Sequence, residues 1–417
     1  MNDQIRRAWE AGLGILQPSR RDLEHGLELH RASLVCDAYG FAPRAALDGG
    51  ALRAAIEAGA SDGEVEDLTE EMGMTRCVSD AREREEFVAA WEAAGVDCIL
   101  QNAGQEGQSP LRLMKRLARF TYVTDLMPEF LRRAARPEDI TAARKEGKRC
   151  LYLVGNGVPL TQDWVSVEDE LRYVRVFFQL GVRMMHLTYN RRNMIGDGCA
   201  EPANAGLSDF GRAVVAEMNR VGVLVDVAHS GWQTSLDAAQ CSQRPMVASH
   251  SACAAVNEHH RCKPDAVVRA IADTGGYVGI CCVPAFLGGT GDLRALLDHI
   301  GYLVRHFGAD HVAIGTDTAY VSSAAEAEQR KVPSRGPSRK RWANFWQPDD
   351  ALFDPRWHQP EQTLSLAWTN WPLFTVGMVQ RGHSDEEIQK VLGGNVLRVA
   401  RAVFPRALQD RARDGNS

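Results

Sequence analysis

The chain lacks any apolar run near the roughly 18 residues of a membrane span, and its opening stretch, MNDQIRRAWEAGLGILQPSRRD, has no apolar signal-peptide core. The expected location is therefore the cytoplasm, with no membrane partner. The ten cysteines are scattered, none falls in a Cys-x-x-Cys pair and no export signal is seen, so most are expected to be reduced core residues. Charge of one sign is also missing: 48 basic and 54 acidic residues are interspersed, the net charge is -6, and no field for nucleic acid arises. One basic stretch, residues 330–341 (RKVPSRGPSRKR), is short and carries two prolines, so it reads as a solvated loop. No Gly-x-Gly-x-x-Gly turn opens the first helix, which argues against a doubly wound dinucleotide fold.

What the sequence does contain is enough apolar material for a full core, 45% of 417 residues, arranged in a repeating pattern. Eight short runs rich in β-branched residues are predicted strands: residues 33–37, 96–101, 150–154, 184–188, 223–227, 245–249, 277–282 and 311–315. Helical stretches such as VEDELRYVRVFFQL and DFGRAVVAEMNRV lie between them and end near glycines that suit helix C-caps. Alternation of this kind predicts one (β/α)8 TIM barrel over residues 1–417. An irregular Trp- and Pro-rich insertion follows the last strand at about residues 321–362, long enough for a lid or an oligomer contact, and a helical region closes the chain at about 363–405.

Barrel enzymes carry their chemistry at the C-terminal ends of the strands. His229 ends the fifth predicted strand, His250 the sixth and Asp317 the eighth. Two imidazoles and a carboxylate form a donor set that zinc accepts, with a position left for water. A lone histidine at a strand end is more often structural; two on adjacent strands facing an aspartate carry more weight. Asp226 reads as a buried hydrogen-bonding group holding a ring nitrogen. Tyr189 and Asn190 follow the fourth strand and could face a substrate, and Arg261 could clamp a carboxylate. Cys199, in the loop IGDGCAEP, has no assignable base and ranks low as a nucleophile.

The segments LGVRMMHLTYNRRNMIGDGC, GLSDFGRAVVAEMNRVGVLVDVAHS and PMVASHSACAAVNEHHRCKPD resemble the membrane (renal) dipeptidase family of zinc peptidases, within the amidohydrolase-like barrels. The resemblance implies that His229 and His250 hold one zinc ion, that Arg261 binds a substrate carboxylate and that Asp317 handles a proton. Other family ligands are absent. The first-strand Asp-Gly-His-x-Asp motif is here Asp37, Ala38, Tyr39, Gly40, Phe41; Gly155 beside Asn156 replaces the bridging glutamate; and Tyr189 replaces a histidine. The LTYN and Gly-x-Gly-Cys-x-Glu motifs are similar to those of a separate dipeptidase or amidohydrolase branch.

Loss of the bridge leaves a mononuclear site of His229, His250 and Asp317, the last as a ligand or a general acid/base. The expected activity is hydrolysis of a C–N bond in a small amide or dipeptide-like carboxylate. One zinc ion is expected, with Tyr189, Asn190, Tyr39 and Asn156 as substrate contacts and Arg261 as the anchor. The alternative is a metal-free descendant, a lyase, isomerase or binding protein, in which His229, His250 and Asp317 transfer protons. A non-catalytic subunit paired with an intact dipeptidase is a third reading. A homodimer is implied by the family resemblance.

Overall fold

A computed structural model describes residues 2–104, 106, 109–335 and 341–405. Nine parallel strands build its sheet: β1 Cys36–Gly40, β2 Cys98–Asn102, β3 Leu131–Ala134, β4 Arg149–Gly155, β5 Met184–His186, β6 Leu224–Asp226, β7 Val247–Ser251, β8 Tyr277–Ile280 and β9 Val312–Ile314. Eight of them follow the order β1-β2-β4-β5-β6-β7-β8-β9, and β3 pairs with β4. These eight are the predicted strands, displaced by a few residues at their ends. The sequence reading missed β3 (LRRA), whose two arginines break the apolar run.

Because β2 occupies one edge of β4, β3 and β5 share the other: β3 pairs with residues 149–152 and β5 with Val154 and Gly155. Alternate residues of each strand face opposite sides. Cys36, Cys98 and Cys150 stand in register inside the barrel with Tyr152, Met184, Leu224 and Tyr277. Ile99, Leu151, Leu153 and Val225 point outward into the apolar layer beneath the helices. All ten cysteines are free thiols, nine of them buried.

The predicted helices form where their caps indicate. Ser208 caps Asp209–Val221 by accepting from Gly211 N–H, and Gly222, at φ 93°, ends that helix in the left-handed region that glycine tolerates. Among the described residues, no helix is long and apolar enough to cross a membrane.

Closure of the barrel between β9 and β1 rests on Asp37. Its carboxylate accepts from Thr316 N (2.9 Å), Thr316 Oγ1 (2.6 Å) and Trp368 Nε1 (3.0 Å), while Asp317 N donates to Tyr39 O (3.0 Å). Burial pushes the Asp37 carboxyl up to about 7 in spite of these donors.

The insertion contains a short helix, Ala325–Gln329, and 3-10 turns at Arg341–Phe345, Ala351–Phe353 and Pro355–Trp357. Trp346 and Trp357 pack with Phe286, Cys262 and Cys281, so the segment lies over the C-terminal rim. Part of the basic stretch, residues 336–340, lies outside the described residues. Its flanks pair with carboxylates, Lys331 with Glu328 (2.7 Å) and Arg335 with Asp62 (3.1 Å).

Replacing Asp37 by Ala would remove the acceptor of three buried N–H groups, those of Thr316, Tyr39 and the Trp368 indole, and of the Thr316 hydroxyl, each unsatisfied group costing about 1–3 kcal/mol. Urea unfolding of Asp37→Ala is expected to show a loss of at least about 3 kcal/mol, and a change below about 1 kcal/mol would show that the seam closes without it.

Candidate metal and active site

The site forms at the C-terminal ends of β5, β6 and β7, where three imidazoles meet. His186 ends β5, His229 follows β6 and His250 lies in β7; their ring centroids are 4.9 to 5.3 Å apart in each pairing. All three rings are buried. The β5–β6 register pairs His186 directly with Asp226, which brings His186 Nε2 to 2.7 Å from Asp226 Oδ2.

Each histidine is oriented through Nδ1. His229 Nδ1 meets Asn190 Oδ1 at 2.7 Å, and His186 Nδ1 meets Asn156 Oδ1 at 2.8 Å. His250 Nδ1 meets Ser249 Oγ at 2.8 Å, and the Ser249 hydroxyl is in turn committed to Asp226. With Nδ1 donating, the lone pair sits on Nε2. His229 Nε2 and His250 Nε2 face each other across 2.9 Å. Burial, reinforced by the nearby Arg261 charge, holds both imidazoles well below the usual histidine range, so both are neutral. Two neutral lone pairs at that distance repel unless a proton or a cation lies between them. The donor chemistry and the oxygen partners on the far nitrogens therefore fit a divalent metal ion.

Asp226 serves three strands. Its Oδ1 accepts from Ala228 N (2.9 Å) and Ser249 N (3.0 Å). Burial alone would raise its carboxyl, but His186 and Ser249 outweigh burial and hold it below the usual range.

The other predicted residues ring this centre. Tyr189 lies over His229, centroid to centroid 4.2 Å, and Phe345 of the insertion meets its edge at 5.3 Å. Asn190, at φ 57°, is fully buried and is committed to His229. Tyr39 stacks on His250 at 3.8 Å, and Asn156 holds His186; both are buried as supports for the rings. Arg261 is buried, donates through Nη1 to Ala228 O, places Nη2 3.5 Å from His229 Nε2 and leaves Nε without an acceptor. Asp317 is half-buried at the rim in the left-handed region, φ 55°, and burial raises its carboxyl to about 7 while Arg261 pulls it down. Among the described residues, the two groups of three whose ligand atoms all lie within 4.8 Å are His186, Asp226, His250 and His259, His260, Asp350; of the expected ligands only His250 is in one, and neither includes His229 or Asp317. Cys199 donates its thiol to Asn190 Oδ1 at 3.2 Å, and burial raises it.

Two residues escaped the sequence reading. His186 sits inside an apolar run whose end was placed two residues later, and the histidine within that run was the available signal. Lys263, two positions after Arg261, is fully buried, donates to Ser230 O (2.7 Å) and is lowered by burial to about 7; nothing in CKPD announces that it is buried.

The model of the membrane dipeptidase family (peptidase family M19) matches residues 75–328. The chain belongs to this family. Among curated relatives, dipeptidase tcpJ of Claviceps purpurea is 26% identical over 287 residues, covering 67% of this chain and 57% of that protein. Dipeptidase verJ of Clonostachys rogersoniana is 29% identical over 233 residues, 55% of this chain and 50% of that one. The chain thus spans about half the length of the curated relatives it matches. The same barrel recurs in solved structures. An amidohydrolase from Pseudomonas aeruginosa is 24% identical with a TM-score of 0.64, covering 91% of this chain and 99% of that one. The probable dipeptidase PvdM of the same organism is 20% identical with a TM-score of 0.64, covering 92% and 98%.

Gly198 lies so close to Asn190 that a Cβ would stand 2.1 Å from its carbonyl carbon. The Gly198→Ala variant is expected to lose roughly 1–3 kcal/mol of stability and to displace the oxygen that orients His229. Denaturant unfolding checks this, and unchanged stability would count against so tight an approach.

Proposed function

We propose that this chain is a dipeptidase-like hydrolase that cleaves the C–N bond of a small amide or dipeptide-like compound bearing a free carboxylate, with one divalent metal ion, zinc by expectation. The supporting observation is the pair of neutral, oppositely facing Nε2 atoms of His229 and His250, 2.9 Å apart. An ion held there supplies Lewis acidity and lowers the pKa of water.

The chain's own groups divide the remaining work. Arg261 holds the substrate carboxylate through its unsatisfied Nε, in a buried setting where a charge-assisted hydrogen bond is strong. Asp317 is the proton-handling group at the rim, since a carboxyl near 7 can both accept and release a proton at neutral pH. Tyr189 walls the site and, with Phe345 against it, excludes water. The metal-free alternative leaves the two lone pairs opposed with nothing between them but a shared proton. Ten free thiols suit a reducing cytoplasm, and a homodimer is the assembly that family likeness implies.

A panel of dipeptides and N-acyl amino acids, offered to chelator-treated protein before and after addition of zinc, cobalt or manganese, tests the reading. Protein that neither binds metal nor gains activity would sink it. Arg261→Lys is expected to raise KM about 10- to 100-fold with a smaller change in kcat, the loss of one charge-assisted bond of about 1.5–3 kcal/mol.

The pH dependence follows from Asp317. Acting as a base, it must be ionised, and its raised pKa moves that requirement up to about 7. The kcat/KM of the wild type should therefore rise as pH increases through about 7. Asp317→Asn should abolish that limb and lower the rate about 10²- to 10⁴-fold. An unaltered limb in this variant would assign the proton transfer to another group.

A further inference from the structure

We infer that His186 is a ligand of the metal centre and that Asp226 contributes its oxygen, so that the ion is held by His186, Asp226 and His250, with His229 and Asp317 lying outside that group of three. The inference rests on the proposed reading that a divalent ion sits at this histidine cluster, and it names the residues that hold it.

Three observations carry it. His186 repeats the arrangement of the other two histidines: its Nδ1 meets an oxygen, Asn156 Oδ1 at 2.8 Å, and its Nε2 is turned inward. Ligating histidines are typically oriented in this way, with the far ring nitrogen held by an oxygen. Second, His186 Nε2 and Asp226 Oδ2 are both completely buried and stand 2.7 Å apart as an ion pair that falls short of a well-directed hydrogen bond. The contact is close but misdirected for an N–H donor, whereas two ligands aimed at a common ion need not aim at each other. Buried polar atoms left in this state are costly, and a pair of them at one point asks for a third party. Third, the ligand atoms of His186, Asp226 and His250 all lie within 4.8 Å of one another.

The arrangement also accounts for Asp226. One carboxylate oxygen is saturated by two backbone N–H groups, which fixes the plane of the group and presents the other oxygen to the centre. Imidazoles together with one carboxylate suit a borderline divalent ion such as zinc.

The test uses the full-length protein loaded with zinc or cobalt. Metal per chain is counted by mass spectrometry, affinity is measured against a chromophoric chelator, and the number of imidazoles on zinc is counted by X-ray absorption. Wild type is expected to hold one ion with two imidazoles, and His186→Gln to show one imidazole and an affinity weaker by about 100-fold or more, beyond the 10- to 100-fold typical of an orienting partner. Asp226→Asn should weaken binding comparably, and Asp317→Asn should keep wild-type affinity and imidazole count. His186→Ala supplies a second variant should the glutamine disturb folding. Wild-type affinity and imidazole count in both His186 variants would overturn the inference and leave the His229–His250 reading standing. A wild type that binds neither zinc nor cobalt would overturn both.

Discussion

A single carboxylate, Asp226, organises the reactive end of this barrel. It is wholly buried, its Oδ1 is fixed by backbone N–H groups of Ala228 and Ser249, and its other oxygen faces His186. Through Ser249 it also sets the direction of the His250 ring. Three strands are thereby held at one height by one side chain. Charge so deeply desolvated survives only where donors surround it, and the same donors place three imidazoles where their free nitrogens can cooperate.

Around that hub, the rim is assembled from distant parts of the chain. Asp350 of the insertion lies between His259 and His260, 3.3 Å from each, and Trp346 packs on Phe286. Phe345 then rests on Tyr189, which in turn lies over His229. The insertion thus forms part of the wall of the site, and its aromatic residues lower the local dielectric against which Arg261 and Asp317 act.

Much of this was legible in the sequence, for reasons tied to particular residues. Strands announced themselves through β-branched runs punctuated by glycine, and His229 and His250 through their place just after such runs. His186 was hidden because an imidazole inside an apolar segment looks like part of the strand, and only the short β5, ending at residue 186, reveals it as a rim residue. Tyr39, a replacement, and Asn156, beside one, were legible as rim residues but not as supports, since their partners, His250 and His186, come from distant strands. Lys263 shows the same limit: burial is a property of the surroundings, and the surroundings of CKPD are built from residues 228–235 and 281–286. The strand β3 was missed because Arg132 and Arg133 mask the pattern, one of them half-buried and the other exposed.

The seam at Asp37 has a consequence for how the polypeptide reaches this state during synthesis. Its long-range acceptor contacts wait for Thr316, 279 residues downstream, and for Trp368, 331 residues downstream. Loop closure over such separations is slow and is compensated only when the distant partner arrives. A nascent chain that has emerged as far as β8 therefore still displays an open sheet edge at β1, and the cylinder becomes continuous only once β9 and Thr316 have left the ribosome.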